Sequence, residues 1–143
     1  SDLNESASTT TASREFDMNV VLDDESRVSL PATLGYDAHD PYAVTATFRT
    51  GDGDISWVFS RELLAEGLTE RVGEGDILIR PAHPSRGPLV LFTLTSPSGS
   101  ARIEGDRDEI RGFLDDSYQV LPSGSEWQYL QVDRVIDELL AEG

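Results

Sequence analysis

Cysteine is absent from the 143-residue chain. That excludes disulfides, thiolate metal sites and cysteine nucleophiles, and leaves the cytoplasm as the default compartment. Lysine is absent too: all 11 basic residues are arginine, and against 27 Asp and Glu they leave a net charge of −16. Such acidity disfavours binding to a phosphate backbone, where affinity comes mainly from cations displacing condensed counterions, although a local basic strip remains compatible with it. Histidine is scarce, with only His39 and His83, far apart in sequence and a poor start for a His-based catalytic centre. No window approaches the roughly 20 apolar residues that span a bilayer. The first residues lack a basic region followed by an apolar core, so no secretory signal is read there.

What is present is 38% apolar residues with 12 Gly and 7 Pro, the composition of one turn-rich globular domain. Residues 1–13 are small and polar, with Leu3 as the one large apolar side chain, and are expected to form a disordered tail ahead of a single domain over 14–143.

The most ordered stretch is Ile55 to Leu68. Ile55, Trp57 and Phe59 alternate as in a strand. Ser60 then offers a helix cap, Glu62 lies in the first turn, and Leu63, Leu64 and Leu68 supply an apolar face. Gly67 is expected as a left-handed stop, with Leu63 packing on Leu68. A helix of about two turns must be held by the sheet, so Trp57, Phe59, Leu63 and Leu64 should share one cluster.

Elsewhere Phe16, Met18, Val20 and Leu22 alternate, and Val28, Leu30, Ala32 and Leu34 continue the alternation after an acidic turn, predicting a hairpin with Pro31 on an edge or at a bulge. Tyr42 to Arg49 should pair with the Trp57 strand across Thr50–Asp54. Leu89–Leu94, apolar on both faces, should be central, and should turn back through Ser96–Ser100 into Ala101–Ile103. From Asp106 the period is helical, through Ile110, Phe113, Leu114 and Tyr118, with Gly112 marking a close approach of another backbone. Trp127 and Tyr129 read as a connecting or extended segment before an amphipathic C-terminal helix through Val132, Val135, Ile136, Leu139 and Leu140. The class is α+β: antiparallel β-sheets, a short helix after the fourth strand and two C-terminal helices.

The search for chemistry yields little. Asp37, His39 and Asp40 could approach a cation, but nothing elsewhere completes a ligand set and an acidic turn is the simpler reading. Gly73-Glu74-Gly75-Asp76 precedes a strand, whereas a phosphate cradle wants a strand before it and a helix after it. No nucleophile elbow stands with a Ser/His/Asp order, and no two histidines share a helix. No catalytic, metal or cofactor residue is assigned, and no enzyme is expected.

The text from Tyr36-Asp37-Ala38-His39-Asp40-Pro41-Tyr42 through Phe48, followed by Trp57-Val58-Phe59-Ser60-Arg61-Glu62-Leu63-Leu64-Ala65-Glu66-Gly67-Leu68 and Gly73-Glu74-Gly75-Asp76, resembles the SsgA-like proteins, sporulation and cell-division regulators of filamentous actinobacteria. The likeness spans about Phe16 to Gly143. It departs at Ser60 and Glu62, where the family often has Ala and Asp, changes that preserve helix-start chemistry. The resemblance implies a cytoplasmic, non-enzymatic protein at the division septum that recruits or positions FtsZ together with an SsgA-type partner. It also implies a homotrimer and a fold similar to the whirly-type single-stranded nucleic-acid-binding proteins. The acidity favours a scaffold used for protein contacts, with Tyr36, Trp57, Leu64 and Leu68 as the candidate partner surface. Two alternatives stand beside it. A nucleic-acid binder would need Arg49, Arg61, Arg80 or other arginines to line one groove with aromatic faces between them; an enzyme would need a polar cleft.

Overall fold

Three hairpins and a short fourth one account for every strand of the computed structural model, which describes residues 10–142. The first joins β1 (Thr11–Val21) to β2 (Arg27–Asp37), with Phe16 opposite Ala32 and Met18 opposite Leu30. At its turn the Asp24 side chain accepts the Ser26 amide at 2.9 Å, and Glu25 adopts the left-handed backbone at φ 66°, a conformation uncommon outside glycine. The second joins β3 (Ala43–Thr50) to β4 (Gly53–Ser60). Here the Thr50 hydroxyl donates to the Gly53 carbonyl at 2.6 Å. The third, β7 (Leu89–Ser96) to β8 (Gly99–Asp106), follows the sequence reading. Between them β5 (Val72–Glu74) and β6 (Ile77–Pro81) turn at Gly75, φ 60°.

The strands form one antiparallel sheet in the order β4-β3-β2-β1-β8-β7-β6-β5. Its halves are sewn together only between Asn19–Val21 and Arg102–Glu104. They face each other across the core, since Phe59 of β4 and Phe92 of β7 bring their ring centroids to 6.4 Å. Even-numbered residues of β2 from Leu30 to Tyr36 and of β3 from Val44 to Phe48 point inward, and Leu34, Val44, Ala46, Ile79, Val90 and Phe92 are all buried. The expected sheets are thus one curled sheet. Pro31 lies one residue beyond the last β2–β3 pair, Ala32 with Phe48, where β2 has become an edge on that side and a missing N–H is tolerated.

The described residues also form three α-helices: α1 (Arg61–Gly67) after the fourth strand, α2 (Arg107–Val120) and α3 (Glu126–Glu142). Ser60 caps α1 as expected, its hydroxyl accepting the Leu63 amide at 2.8 Å. Asp106 caps α2, accepting from the amides of Asp108 and Glu109. α2 lies against β1, burying Ile110, Phe113 and Leu114. Phe59, Leu63 and Leu64 join one cluster, with Trp57 packed against it.

Four expectations are corrected. β1 starts at Thr11, paired with Asp37, inside the expected 1–13 tail; residues 1–9 lie outside the described residues. Gly67 is not a left-handed stop, because the helix runs through it to a right-handed Leu68 at φ −70°. Glycine is required there by proximity, since a Cβ would stand 2.7 Å from Ile79 Cβ. Gly112 does mark a close approach, but to the Arg14 side chain and not to a backbone. Trp127 and Tyr129 are helical: the Tyr129 amide reaches the Ser125 carbonyl at 3.1 Å, which sets the first turn of α3.

Candidate partner-binding surfaces

Of the four residues chosen from sequence, three are core. Tyr36, Leu64 and Leu68 are 3%, 0% and 1% exposed. Tyr36 points inward from β2 and donates its hydroxyl to the Pro41 carbonyl at 3.0 Å. Leu64 and Leu68 are on the sheet side of α1, which is too short to stand without that burial. Trp57 is half-buried at a cleft of about 470 Å³ whose other walls include Val20, Phe48, Leu94 and Ile103. These four side chains therefore do not make a surface together.

Arg61, read from sequence as a candidate groove arginine, is instead internal. Its side chain is buried at 2% exposure, with the guanidinium stacked between Tyr36, 4.4 Å from the ring centroid, and Tyr118, 4.8 Å. It donates to the Leu121 carbonyl at 2.8 Å, to the Ser117 carbonyl at 3.1 Å and hydroxyl at 3.4 Å, and to Glu126 Oε2 at 2.9 Å. Burial pushes the Glu126 carboxyl up, but hydrogen bonds from its own amide, from Arg61 and from the Gly124 amide outweigh that and hold it below its usual range. The guanidinium thus collects the end of α2 and the start of α3, and fixes where α3 leaves the body. A buried arginine carries no period, so its signal in the sequence is slight; Tyr36 and Tyr118 lie far from it along the chain.

Beyond that joint α3 exposes its apolar stripe. Val132, Val135, Ile136, Leu139 and Leu140 are between 49% and 73% exposed. They recur at three and four residues, so they share one face. Asp133, Asp137 and Glu138 lie between them. The base of α3 is held over the β2–β3 turn, where the His39 and Tyr129 rings meet edge to face with centroids 6.2 Å apart. Asp37 accepts from the His39 amide and contacts its Nδ1, both at 2.9 Å. That hydrogen bond and the Asp37 charge raise the imidazole above its ordinary value, helped by Asp133 and Asp137 on α3.

Asp37 is therefore engaged with His39, and among the described residues no group of three His, Asp or Glu side chains is placed to hold a metal ion. Nor do Arg49, Arg61 and Arg80 line one groove. Arg49 is an exposed partner of Glu15 at 2.8 Å, and Arg61 is internal. Arg80 lies on the outer face of β6, in a shallow depression of about 590 Å³ that it shares with Arg71, Leu78, Leu91, Thr93 and Arg102. No aromatic side chain lines it. No helix among the described residues is long and apolar enough to cross a membrane.

Comparison with known proteins agrees with this geometry. The family model described as Streptomyces sporulation and cell division protein, SsgA, matches residues 30–126. Sporulation-specific cell division protein SsgB of Streptomyces coelicolor is 39% identical over 134 residues, covering 93% of this chain and 98% of the relative. The protein of the same name from Kineococcus radiotolerans is 43% identical over 114 residues, covering 78% and 69%. A crystal structure of the SsgA-like sporulation-specific cell division protein of Thermobifida fusca superposes with a TM-score of 0.83 at 36% identity, over 92% of this chain and 96% of that one. A structure reported with SsgB mutations that correlate with longitudinal cell division during sporulation of S. coelicolor gives 0.79 at 40% identity, over 84% and 95%. The matched span runs from the middle of β2 to the first residue of α3, through the sheet, α1 and the Arg61 joint. With whole-length relatives sharing both sequence and fold, the chain belongs to the SsgA family of sporulation and cell division proteins.

Proposed function

We propose that this chain is a non-enzymatic regulator of sporulation-specific cell division that recruits or positions FtsZ at septum sites, working from the cytoplasm as a homotrimer and with an SsgA-type partner. The observation that carries the reading is α3: a helix anchored at its base by a buried arginine, with an apolar stripe that no other element among the described residues covers. Large exposed apolar patches are uncommon on monomeric surfaces and mark contact sites. The relatives, aligned over nearly their whole length, are named for sporulation-specific division, and a scaffold of whirly type reused for protein contacts agrees with Arg49, Arg61 and Arg80 failing to line one groove with aromatic faces. In this reading FtsZ is the occupant of the stripe.

The test is co-sedimentation with FtsZ assembled in GTP. The chain is expected to pellet saturably with polymer. Ile136→Glu/Leu139→Glu should lose that pelleting, with native mass by light scattering unchanged. Pelleting that survives the double substitution would remove FtsZ from α3, a fall in native mass would assign the stripe to the contact between copies, and no pelleting by the unaltered chain would remove FtsZ as a direct partner.

A further inference from the structure

The depression around Arg80 is built differently from the rest of this acidic surface. In the sheet register Leu78 of β6 stands beside Thr93 of β7 and Thr93 beside Arg102 of β8, while Arg80 stands beside Leu91 and Leu91 beside Glu104. These make two parallel cross-strand rows on the outer face, about 7 Å apart because alternate residues share a face. Arg80 and Arg102 fall at opposite corners, with Leu78, Leu91 and Thr93 between them, and Arg71 beside the edge strand closes one side. Leu91 is 8% exposed although it faces outward, so the floor is apolar and the rim is guanidinium.

The rim is not neutralised from within. Glu104, the carboxylate in the same rows, is 4% exposed and already accepts from Arg27 at 3.1 Å and Arg86 at 3.1 Å. Burial pushes this carboxyl up, but those two arginines outweigh it and keep it below its usual range, so it stays charged and occupied. Glu25 answers Arg102 at 3.1 Å from an exposed turn. Among the described residues neither Arg71 nor Arg80 has a carboxylate within ion-pair distance. Arg71, Arg80 and Arg102 thus line one depression, with Arg27 and Arg86 held on Glu104 beside it, on a chain whose net charge is −16.

We propose that this groove docks an acidic segment of a partner protein, in extended conformation, whose carboxylates meet Arg71, Arg80 and Arg102 while an apolar side chain rests on Leu78 and Leu91. Guanidinium groups favour carboxylates through paired, parallel hydrogen bonds. The apolar floor asks for a ligand that carries hydrocarbon as well as charge. A nucleic-acid strand fits less well: the groove has no aromatic face on which a base could stack, and a long polyanion would meet the field of the whole acidic chain. The site is separate from α3 and goes beyond the FtsZ reading, which stands or falls on its own assay.

Random dodecapeptides displayed on phage would be selected on the immobilised full chain and counter-selected on Arg71→Gln/Arg80→Gln, which keeps fold and stem and removes only charge. Enriched sequences should interleave Asp or Glu with apolar residues. As free labelled peptides followed by fluorescence polarisation, they should bind at least tenfold more weakly to the double variant and to Thr93→Glu, and labelled oligothymidylate should not bind. Enrichment of neutral or basic peptides would overturn the proposal, as would acidic peptides held equally by both variants or oligothymidylate binding that depends on Arg80.

Discussion

Replacing Arg61 with alanine should cost this protein a large share of its stability, and the magnitude follows from what is left behind. The side chain is 2% exposed, and its loss strips Glu126 of its counter-ion and the Leu121 and Ser117 carbonyls of donors at 2.8 and 3.1 Å. Removing one partner of a buried pair costs about 3–5 kcal/mol, chiefly because the other charge stays uncompensated. The two carbonyls and the stacking on Tyr36 and Tyr118 fall within that total and are not additional to it. For a chain of this length that corresponds to a fall in Tm of about 10–15 °C. Urea and thermal unfolding by circular dichroism would measure it. Arg61→Lys keeps the charge but lacks the planar fork that reaches four acceptors and stacks between two tyrosines, so it should recover only part of the loss. In a double-mutant cycle, Arg61→Ala with Glu126→Ala should cost less than the two singles summed, because the second change removes the stranded charge. Hydrogen exchange should show the damage at residues 117–130. A loss below about 1 kcal/mol, or a cycle that sums exactly, would mean the guanidinium is incidental and the packing of α2 on β1 alone sets the joint.

Two glycines should differ in their tolerance of alanine. Gly67→Ala puts a Cβ 2.7 Å from the branched carbon of fully buried Ile79, and overpacking of about 1–3 kcal/mol outweighs the helix-propensity gain of up to about 1 kcal/mol. Gly112→Ala meets only the guanidinium end of Arg14, which can swing away from Glu109 and Asp116 with its exposed pairs worth little, so stability should stay within about 1 kcal/mol; chemical denaturation checks both. His39 should titrate above 6.5 by NMR, with Asp37→Asn lowering the midpoint. Because the folded value is raised, its contribution is fully present below pH 6.5 and lost as pH climbs through that higher value; a midpoint unmoved by Asp37→Asn would refute the pairing. Glu104 runs the other way. Its stabilisation is present above pH 4.5 and lost as pH falls through its lowered folded value, so Glu104→Gln should be less stable at pH 7 and show a flatter acid profile.

Much of the fold was readable because period and turn chemistry agree along most of the chain. Alternation holds along most of β1, β2 and β3, each hairpin turn carries Asp, Ser or Gly where the backbone needs them, and the switch of period at Ser60 marks a helix start that the cap confirms. The misreadings share a cause. Gly67 and Gly112 were interpreted by local rules, whereas Ile79 and Arg14 decide their roles. Trp127 and Tyr129 looked extended because the helix they open is set by the Pro122–Ser125 turn, and their aromatic bulk suits a strand equally well.

The surfaces were less legible, for a reason that concerns what amphipathicity encodes. A stripe such as Val132, Ile136 and Leu139 states that a helix has an apolar face, not what covers it. In α2 the same kind of stripe is buried on β1, and in α3 it is bare. The difference lies in where each helix is launched, and the launch point of α3 is set by Arg61, a charged residue that pattern reading assigns to the surface. Conversely Tyr36, Leu64 and Leu68 looked like a patch because their motif is distinctive in sequence, yet a distinctive motif here is the one that builds the socket. Tyr36 supplies a wall of the Arg61 site, and Leu64 and Leu68 seat the helix that starts with it. The motif therefore acts on the exposed stripe indirectly, by setting where α3 leaves the body. If the stripe is the FtsZ contact proposed above, a substitution at Tyr36 that spared the fold but loosened Arg61 should weaken FtsZ co-sedimentation without altering any residue of the stripe.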